Sequence, residues 1–257
     1  MTFEPRVALA SLSGAADADW ARRGAPYAGC AFLGGVALDG PTRGAARAMV
    51  EREREEFLPE EPLAFVEAQF RALADVPIRP AVNVRAAGPG PIREAGRLCE
   101  HHDAVLEVNA HCRQAEMCAA GAGESLLREP SRLAEQVRAA SATGATTSVK
   151  LRAELAGVDL PALSRQLEAA GADAVHVDAM DTESVVAEVR EACDLFLIAN
   201  NGVRDRATVR EYLGYGADAV SVGRPSDDPE VLARVRAAVE EWFEERTRLP
   251  RADGGQP

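Results

Sequence analysis

Two near-copies in the second half of the chain, GADAVHV (171–177) and GADAVSV (216–222), decide the fold. Each follows a stretch with apolar residues at helical spacing, 160–170 and 205–215, and each runs directly into a short apolar segment. A glycine at a helix end adopts the left-handed conformation that turns the chain off the helix axis. Gly-Ala-Asp followed by a short apolar run is therefore a helix-to-strand corner, used twice. Short, β-branched runs of this kind are the pattern of strands buried on both faces of a parallel sheet.

Outward from these corners the alternation recurs. Apolar runs lie at VALAS (7–11), AGCAFLGGV (28–36), AVNV (81–84), AVLEVN (104–109), TTSVKL (146–151), DAVHVD (173–178), DLFLIAN (194–200) and DAVSVG (218–223). Helical patterns occupy 63–74, 91–101, 130–141, 160–170, 182–192, 205–215 and 229–246. Eight strand segments with intervening helices predict an α/β fold, a single-domain (β/α)8 TIM barrel over residues 1–248. An open doubly wound sheet is the alternative. The rhythm breaks at 39–62, where MVEREREEFLPEEP (49–62) reads as a charged helix and a Pro/Glu turn within an extended connection after the second strand. The polar residues 249–257 (LPRADGGQP) are expected to form a disordered tail.

The 257 residues are 47% hydrophobic and 27% charged, an ordinary globular balance that excludes disordered and collagen-like classes. Acidic residues outnumber basic ones 41 to 29, a formal charge of −12. That charge argues against a broad nucleic-acid footprint and leaves room for a local basic patch. Lys150 is the only lysine. An acidic chain with almost no lysine fits a halophilic, salt-rich cytoplasm, where screening suppresses self-repulsion; high genomic GC content produces the same Arg-for-Lys bias. Cys30, Cys99, Cys112, Cys118 and Cys193 are odd in number and irregular in spacing, as expected of reduced thiols in a cytoplasmic protein. No signal peptide and no membrane span are read from the sequence.

Function in such a barrel gathers at the C-terminal ends of the strands. Taken in order, those ends carry Ser11 and Ser13-Gly14; Asn83 and Arg85; Asn109, His111 and Cys112; Lys150 and Arg152; His176 and Asp178; Asn200-Asn201-Gly202; and Gly223-Arg224. The only lysine, two of the four histidines and one cysteine fall in this set. IANNG and SVGR are glycine-bearing loops before helices. Such loops expose backbone N–H groups, and barrels of this type frequently bind phosphate after the seventh and eighth strands. Arg224 would add a bidentate contact. The bland reading is a pair of simple turns.

A lone buried lysine is costly unless paired. Lys150 is therefore expected to point to an anionic or polar ligand, or else to a core carboxylate such as Glu107. Cys112, over a ligand, suits a proton donor or nucleophile, with His111 tuning the thiol. The alternative is a small buried filler, the role taken for Cys30, Cys99 and Cys193. A metal set of His111, Cys112 and Cys118 matches no standard zinc spacing, so no metal is expected. His176 is read as facing the ligand, against a satisfied core histidine. His101-His102 is read as a helix-end dipole partner.

The residues VNAHCRQAEMCAAGAGESLLREP (108–130) resemble the tRNA-dihydrouridine synthase family of FMN-binding barrels. The family pattern is Asn-x-Gly-Cys-Pro, a glycine-rich stretch, Leu-Leu and Pro; Asn109, Cys112, Gly123, Leu126, Leu127 and Pro130 fall in that spacing. LASLSGAAD (9–17) resembles the family's opening, SVKLR (148–152) its lysine strand, His176 its strand-six histidine, and ANNG and SVGR its phosphate loops. The resemblance runs from about Val7 to Arg224.

It implies an FMN-dependent oxidoreductase that reduces the C5–C6 double bond of a uracil ring, with NAD(P)H as expected electron donor. Ser11 and Leu12 would border the flavin ring. Asn83 would make a polar flavin contact, and Asn109 belongs to the same cofactor set. Lys150 and His176 would contact FMN. Asn201, Gly202, Gly223 and Arg224 would hold its phosphate. Cys112 would protonate the substrate carbon, with His111 beside it.

The chain departs from the family at His111 and Arg113 around the cysteine, at Ser11-Leu12, and at Val177-Asp178-Ala179-Met180, where the family carries Gly-Arg-Thr-Arg. It also ends soon after the eighth helix, so the C-terminal RNA-binding domain of most members is expected to be absent, as in a short archaeal-type branch. Two partners follow as alternatives, a tRNA or a free small pyrimidine-like or pterin substrate. A flavin-free phosphate-binding barrel and a non-catalytic barrel complete the alternatives. The oligomeric state is open, a homodimer being one reading.

Overall fold

In a computed structural model, residues 1–248 are described. Eight parallel strands close into a barrel in chain order: β1 (Val7–Leu9), β2 (Cys30–Ala37), β3 (Arg79–Arg85), β4 (Val105–Ala110), β5 (Thr146–Arg152), β6 (Ala174–Asp178), β7 (Phe196–Asn200) and β8 (Ala219–Val222), with β8 pairing back onto β1. The helices around it are α1 (Ala18–Gly24), α2 (Gly40–Val50), α3 (Pro62–Ala72), α4 (Pro89–His101), α5 (Ala115–Ala119), α6 (Pro130–Ser141), α7 (Leu160–Ala169), α8 (Val185–Ala192), α9 (Arg206–Gly214) and α10 (Pro229–Arg248). The fold is the expected single (β/α)8 barrel, and the open sheet is excluded by closure. The expected tail, 249–257, lies outside the described residues.

Side chains alternate in and out along each strand with period two. On β4, Leu106, Val108 and Ala110 join the large core between strands and helices. Val105, from the same strand, joins an inner cluster with Phe3, Ala8, Cys30, Phe32, Ala81, Ile198 and Ala219. That cluster is the apolar floor of the lumen. Burying a Leu or Val on the outer face contributes ~1.5–3 kcal/mol. The outer positions therefore fix the register, and the inner positions above the floor are left for polar groups.

The two Gly-Ala-Asp corners are built alike. Gly171 and Gly216 have φ of +96° and +93°, the left-handed region in which a side chain is strained. Asp173 then accepts from the Thr147 N–H at 2.8 Å, and Asp218 accepts from the Leu197 N–H at 2.9 Å. Each aspartate thereby closes the start of the preceding strand.

The extended connection differs from its expected form. Its helix is α2, which ends at Val50, before the charged run. Residues 51–61 are turn and irregular backbone. The reason is tertiary: Gly14 N donates to the Glu55 carbonyl, and the Glu56 carboxylate is drawn into a buried pair with Arg85. The sequence pattern also missed α1, capped by Asp17, whose side chain accepts from Trp20 N at 2.8 Å.

Candidate functional site

Above its floor the lumen becomes polar. Glu107 is fully buried there: Oε1 accepts from Asn83 Nδ2 at 2.7 Å, and Oε2 accepts from His176 Nδ1 at 2.8 Å and Ser148 Oγ at 3.3 Å. His176 Nε2 lies 2.7 Å from Ser221 Oγ. Asn83 and Ser148 flank Glu107 on the neighbouring strands β3 and β5, whereas Glu107, His176 and Ser221 stand on β4, β6 and β8, which are not neighbours in the sheet, so the bonds among these three cross the interior. Burial pushes the Glu107 carboxyl up, but His176, Lys150 and Asn83 outweigh it and hold it below its usual range. Burial holds the His176 imidazole below its usual range, hence neutral. The network then assigns Nδ1–H as donor to Glu107 and the Ser221 hydroxyl as donor to Nε2.

Asn109 links this layer to the mouth. Its Nδ2 donates to Asn83 Oδ1 at 2.7 Å, and its Oδ1 accepts from the backbone N–H of His111 at 3.1 Å and of Cys112 at 2.8 Å. Asn109 thus ties down the loop that follows β4. From the other side, Glu124 N donates to the Cys112 carbonyl at 2.9 Å. Gly123, at φ +64°, lets that approach happen, because a Cβ there would collide with the Cys112 carbonyl. The Cys112 side chain is half-buried against Ala45, Met49, Met117 and Ala122, on and beside α2 and α5.

At the mouth itself, Lys150 is 3% exposed and makes no hydrogen bond or ion pair among the described residues. Burial pulls its ammonium down, opposed by the fields of Glu107 and Asp178. It is not paired with Glu107, whose bonds come from His176, Asn83 and Ser148. Across the mouth, His111 Nε2 stands 2.5 Å from Asp178 Oδ2, and Asn201 Nδ2 donates to Asp178 Oδ1 at 2.8 Å. Burial pushes Asp178 up, but the bond and charge of His111, the bond from Asn201 and the charge of Lys150 hold it well below the carboxylate range. On the opposite rim, Arg85 Nη1 meets Glu56 at 2.6 Å and Nη2 donates to Ser13 Oγ at 2.8 Å. The Ser11 hydroxyl donates to the Gly34 carbonyl, and Leu12 packs on the outer core.

The loops after β7 and β8 are adjacent, since Asn200 pairs with Ser221. Asn201 has φ +93° and Gly202 φ +66°. The backbone N–H groups of Asn201, Gly202, Gly223 and Arg224 have no acceptor among the described residues. The space beside Gly202 and Gly223 is open, and the Arg224 side chain is exposed. Together these groups form an anion-receptive corner.

The residues read from the sequence therefore divide by depth. Lys150, His111, Asn201, Gly202, Gly223 and Arg224 gather at the mouth. Asn83, Asn109 and His176 lie below it and use their polar atoms on one another and on Glu107, Ser221 and the β4 loop. Sequence reasoning gave no role to Asp178 or to the Glu56–Arg85 pair, and saw Glu107 only as a partner for Lys150. A carboxylate inside the apolar run AVLEVN was the available sign for Glu107. A cleft of about 380 Å³ lies beyond the N-terminal ends of the strands between Pro5, Val239 and Phe243, away from all of these groups.

Residues 81–252 match the family model for dihydrouridine synthase. The chain belongs to the dihydrouridine synthase family. As a member of that family it is a flavin-dependent oxidoreductase. The match starts within β3 and takes in every mouth residue from Asn83 onward. An uncharacterized protein of Methanocaldococcus jannaschii is 28% identical over 235 residues, covering 86% of this chain and 89% of that one. Among solved structures, morphinone reductase in complex with tetrahydroNAD superposes with a TM-score of 0.68 at 15% identity, over 93% of this chain and 88% of that chain. A tryptophan synthase complex from Pyrococcus furiosus gives 0.56 at 13% identity, over 95% and 100%. These two likenesses are of fold. Among the described residues no helix is long and apolar enough to cross a membrane.

Proposed function

We propose that the protein binds FMN at the barrel mouth and reduces the C5–C6 double bond of a uracil-type ring, with NAD(P)H as the source of electrons. The observation that carries this reading is Lys150, a buried lysine at the C-terminal end of β5 with no hydrogen bond or ion pair among the described residues. Such a group needs an anionic or acceptor ligand. The donor set fits FMN. Lys150 would meet the electron-rich edge of the ring, and the free amides of Asn201, Gly202, Gly223 and Arg224, with the Arg224 guanidinium, would hold the phosphate. Ser11 and Leu12 would border the ring. When bound, the flavin supplies hydride.

The chain's own residues would then orient the ring and supply a proton. Lys150 favours a negative charge on the bound ring. The Glu107–His176–Ser221 layer keeps the floor under it rigid and dry. The proton comes from the β4 loop, where His111 and Cys112 are adjacent; the family resemblance points to Cys112.

For the substrate, tRNA uridine is the first reading. A free small pyrimidine or pterin is the second, favoured by the net charge of −12 and by Asp178 and Asp181 where the family carries arginine. The test is anaerobic reduction of the purified protein followed by reoxidation with an unmodified tRNA transcript or with free uracil. Flavin absorbance on the protein and reoxidation by either probe are expected. A colourless protein that takes up no FMN overturns the reading. Unchanged dihydrouridine in the tRNA of a deletion strain overturns the tRNA version.

A further inference from the structure

His111 and Asp178 form a second arrangement at the mouth that neither the flavin site nor the family's cysteine accounts for. His111 follows β4, Asp178 ends β6, and the unpartnered Lys150 stands on β5 between them in the sheet. The His111 Nε2 is taken by Asp178 Oδ2 at 2.5 Å. Asp178 is itself fixed by Asn201 Nδ2 at 2.8 Å and by the Met180 N–H at 3.4 Å. The other ring nitrogen, Nδ1, has no partner among the described residues, and the His111 side chain is 26% exposed while that of Asp178 is 8% exposed. A carboxylate holding one imidazole nitrogen, with the other nitrogen free at an open site, is an arrangement that orients a proton-transfer group. The neighbouring Cys112 packs beside the apolar cluster of Ala45, Met49, Met117 and Ala122.

We propose that Asp178 is a positioning residue that aims His111 into the mouth, and that Nδ1 of His111, in its protonated form, delivers the proton of the reduction. The assignment rests on the ring reduction proposed above and names its acid. Reduction of a carbon–carbon double bond adds a hydride at one carbon and a proton at the other. The hydride's electron pair comes from the reduced flavin, which is oxidised. The proton leaves Nδ1 as the new C–H bond forms, the imidazolium becomes neutral imidazole still donating Nε2–H to Asp178, and solvent restores the proton.

The charged groups facing His111 are Asp178 on β6, and Lys150 and Arg152 on β5; Arg152 is itself paired with Glu124 and Glu154. Burial lowers the imidazole, the bond and charge of Asp178 raise it, and Lys150 and Arg152 lower it, which leaves it below its usual range, so the imidazolium is populated toward the acid side. Removing the Asp178 charge therefore lowers it further. Delivery by the imidazolium falls as pH rises through the His111 pKa, so in Asp178→Asn that limb moves to lower pH.

The experiment uses the FMN-loaded protein and the variants Asp178→Asn, Asp178→Glu, His111→Gln and Cys112→Ala. Ring NMR of the histidines follows the His111 titration. Stopped-flow reoxidation of the anaerobically reduced protein, with tRNA transcript and free uracil as probes, follows the rate against pH. Expected are an acid shift of about one pH unit in Asp178→Asn, partial return in Asp178→Glu, loss of at least about a hundredfold in His111→Gln, and, in Cys112→Ala, a pH limb and a His111 titration at the parent's position whatever its rate. A His111 titration and pH limb unmoved in Asp178→Asn, or a hundredfold loss confined to Cys112→Ala, overturns the assignment while leaving the flavin reading intact. No flavin uptake, or no reoxidation by either probe, overturns the flavin reading first.

Discussion

Glu107 and His176 are 69 residues apart in the chain, yet Oε2 and Nδ1 meet at 2.8 Å inside the lumen with neither side chain exposed. The carboxylate also holds Asn83 and Ser148. Glu107→Ala strands three donors in a dry interior and is expected to cost about 3–5 kcal/mol of stability, measured by urea unfolding. Ser148→Ala removes one long bond and is expected to cost under about 1 kcal/mol.

The same layer makes the fold sensitive to acid. Both Glu107 and His176 are held below their usual values in the folded state. For a depressed group the unfolded chain binds the proton first, so stability is present above the unfolded pKa and is lost as pH falls toward the folded one. The His176 contribution begins to be lost below about pH 6.5, and that of Glu107 below about pH 4.3. Thermal unfolding from pH 8 to pH 4 should therefore show a falling Tm with an onset near the first of these. His111 is held below its usual value as well, so His176→Gln should weaken that onset without abolishing it, and an onset of unchanged size in this variant would contradict the neutral assignment.

Lys150→Met separates folding from binding. An unpartnered buried ammonium costs stability, so the flavin-free variant is expected to unfold at the same urea concentration as the parent or higher. Its affinity for FMN should fall by at least about tenfold. Loss of both stability and binding would mean that Lys150 is structural.

Arg224→Ala tests the phosphate corner. FMN retention is expected to fall about tenfold, while riboflavin, which lacks the phosphate, binds parent and variant alike. Equal FMN retention in the two proteins counts against the corner.

Gly171→Ala is expected to destabilise by about 1–2 kcal/mol, because φ is +96° there, and to leave FMN affinity unchanged. A fall in affinity would mean that the corners beneath the barrel are coupled to the mouth.

The barrel was legible because the outer positions of each strand must be apolar and the Gly-Ala-Asp corners repeat. The rim residues were legible for a related reason: lysine and histidine are rare here, so their presence at strand ends stood out. Depth was not legible. Asn83, Asn109 and His176 share the strand-end composition of the mouth residues, and only closure of the barrel reveals that they face one another one layer down. Asp178 was read only as one polar strand end among several and as a departure from the family's arginine, because an aspartate at a strand end is common and its partner, His111, lies 67 residues away in sequence. The charged run after α2 misled for the opposite reason. Its composition suits a helix, and a single buried carboxylate, Glu56, holds it in another shape.

One more consequence follows from Lys150. Apart from the α-amino group, it carries the only primary amine in the chain. An amine-directed acylating label would therefore report on one side-chain address, without any mutagenesis. Occupancy of the barrel mouth could be read as protection of that address, and mass spectrometry of a single peptide would show when a guest arrives and when it departs.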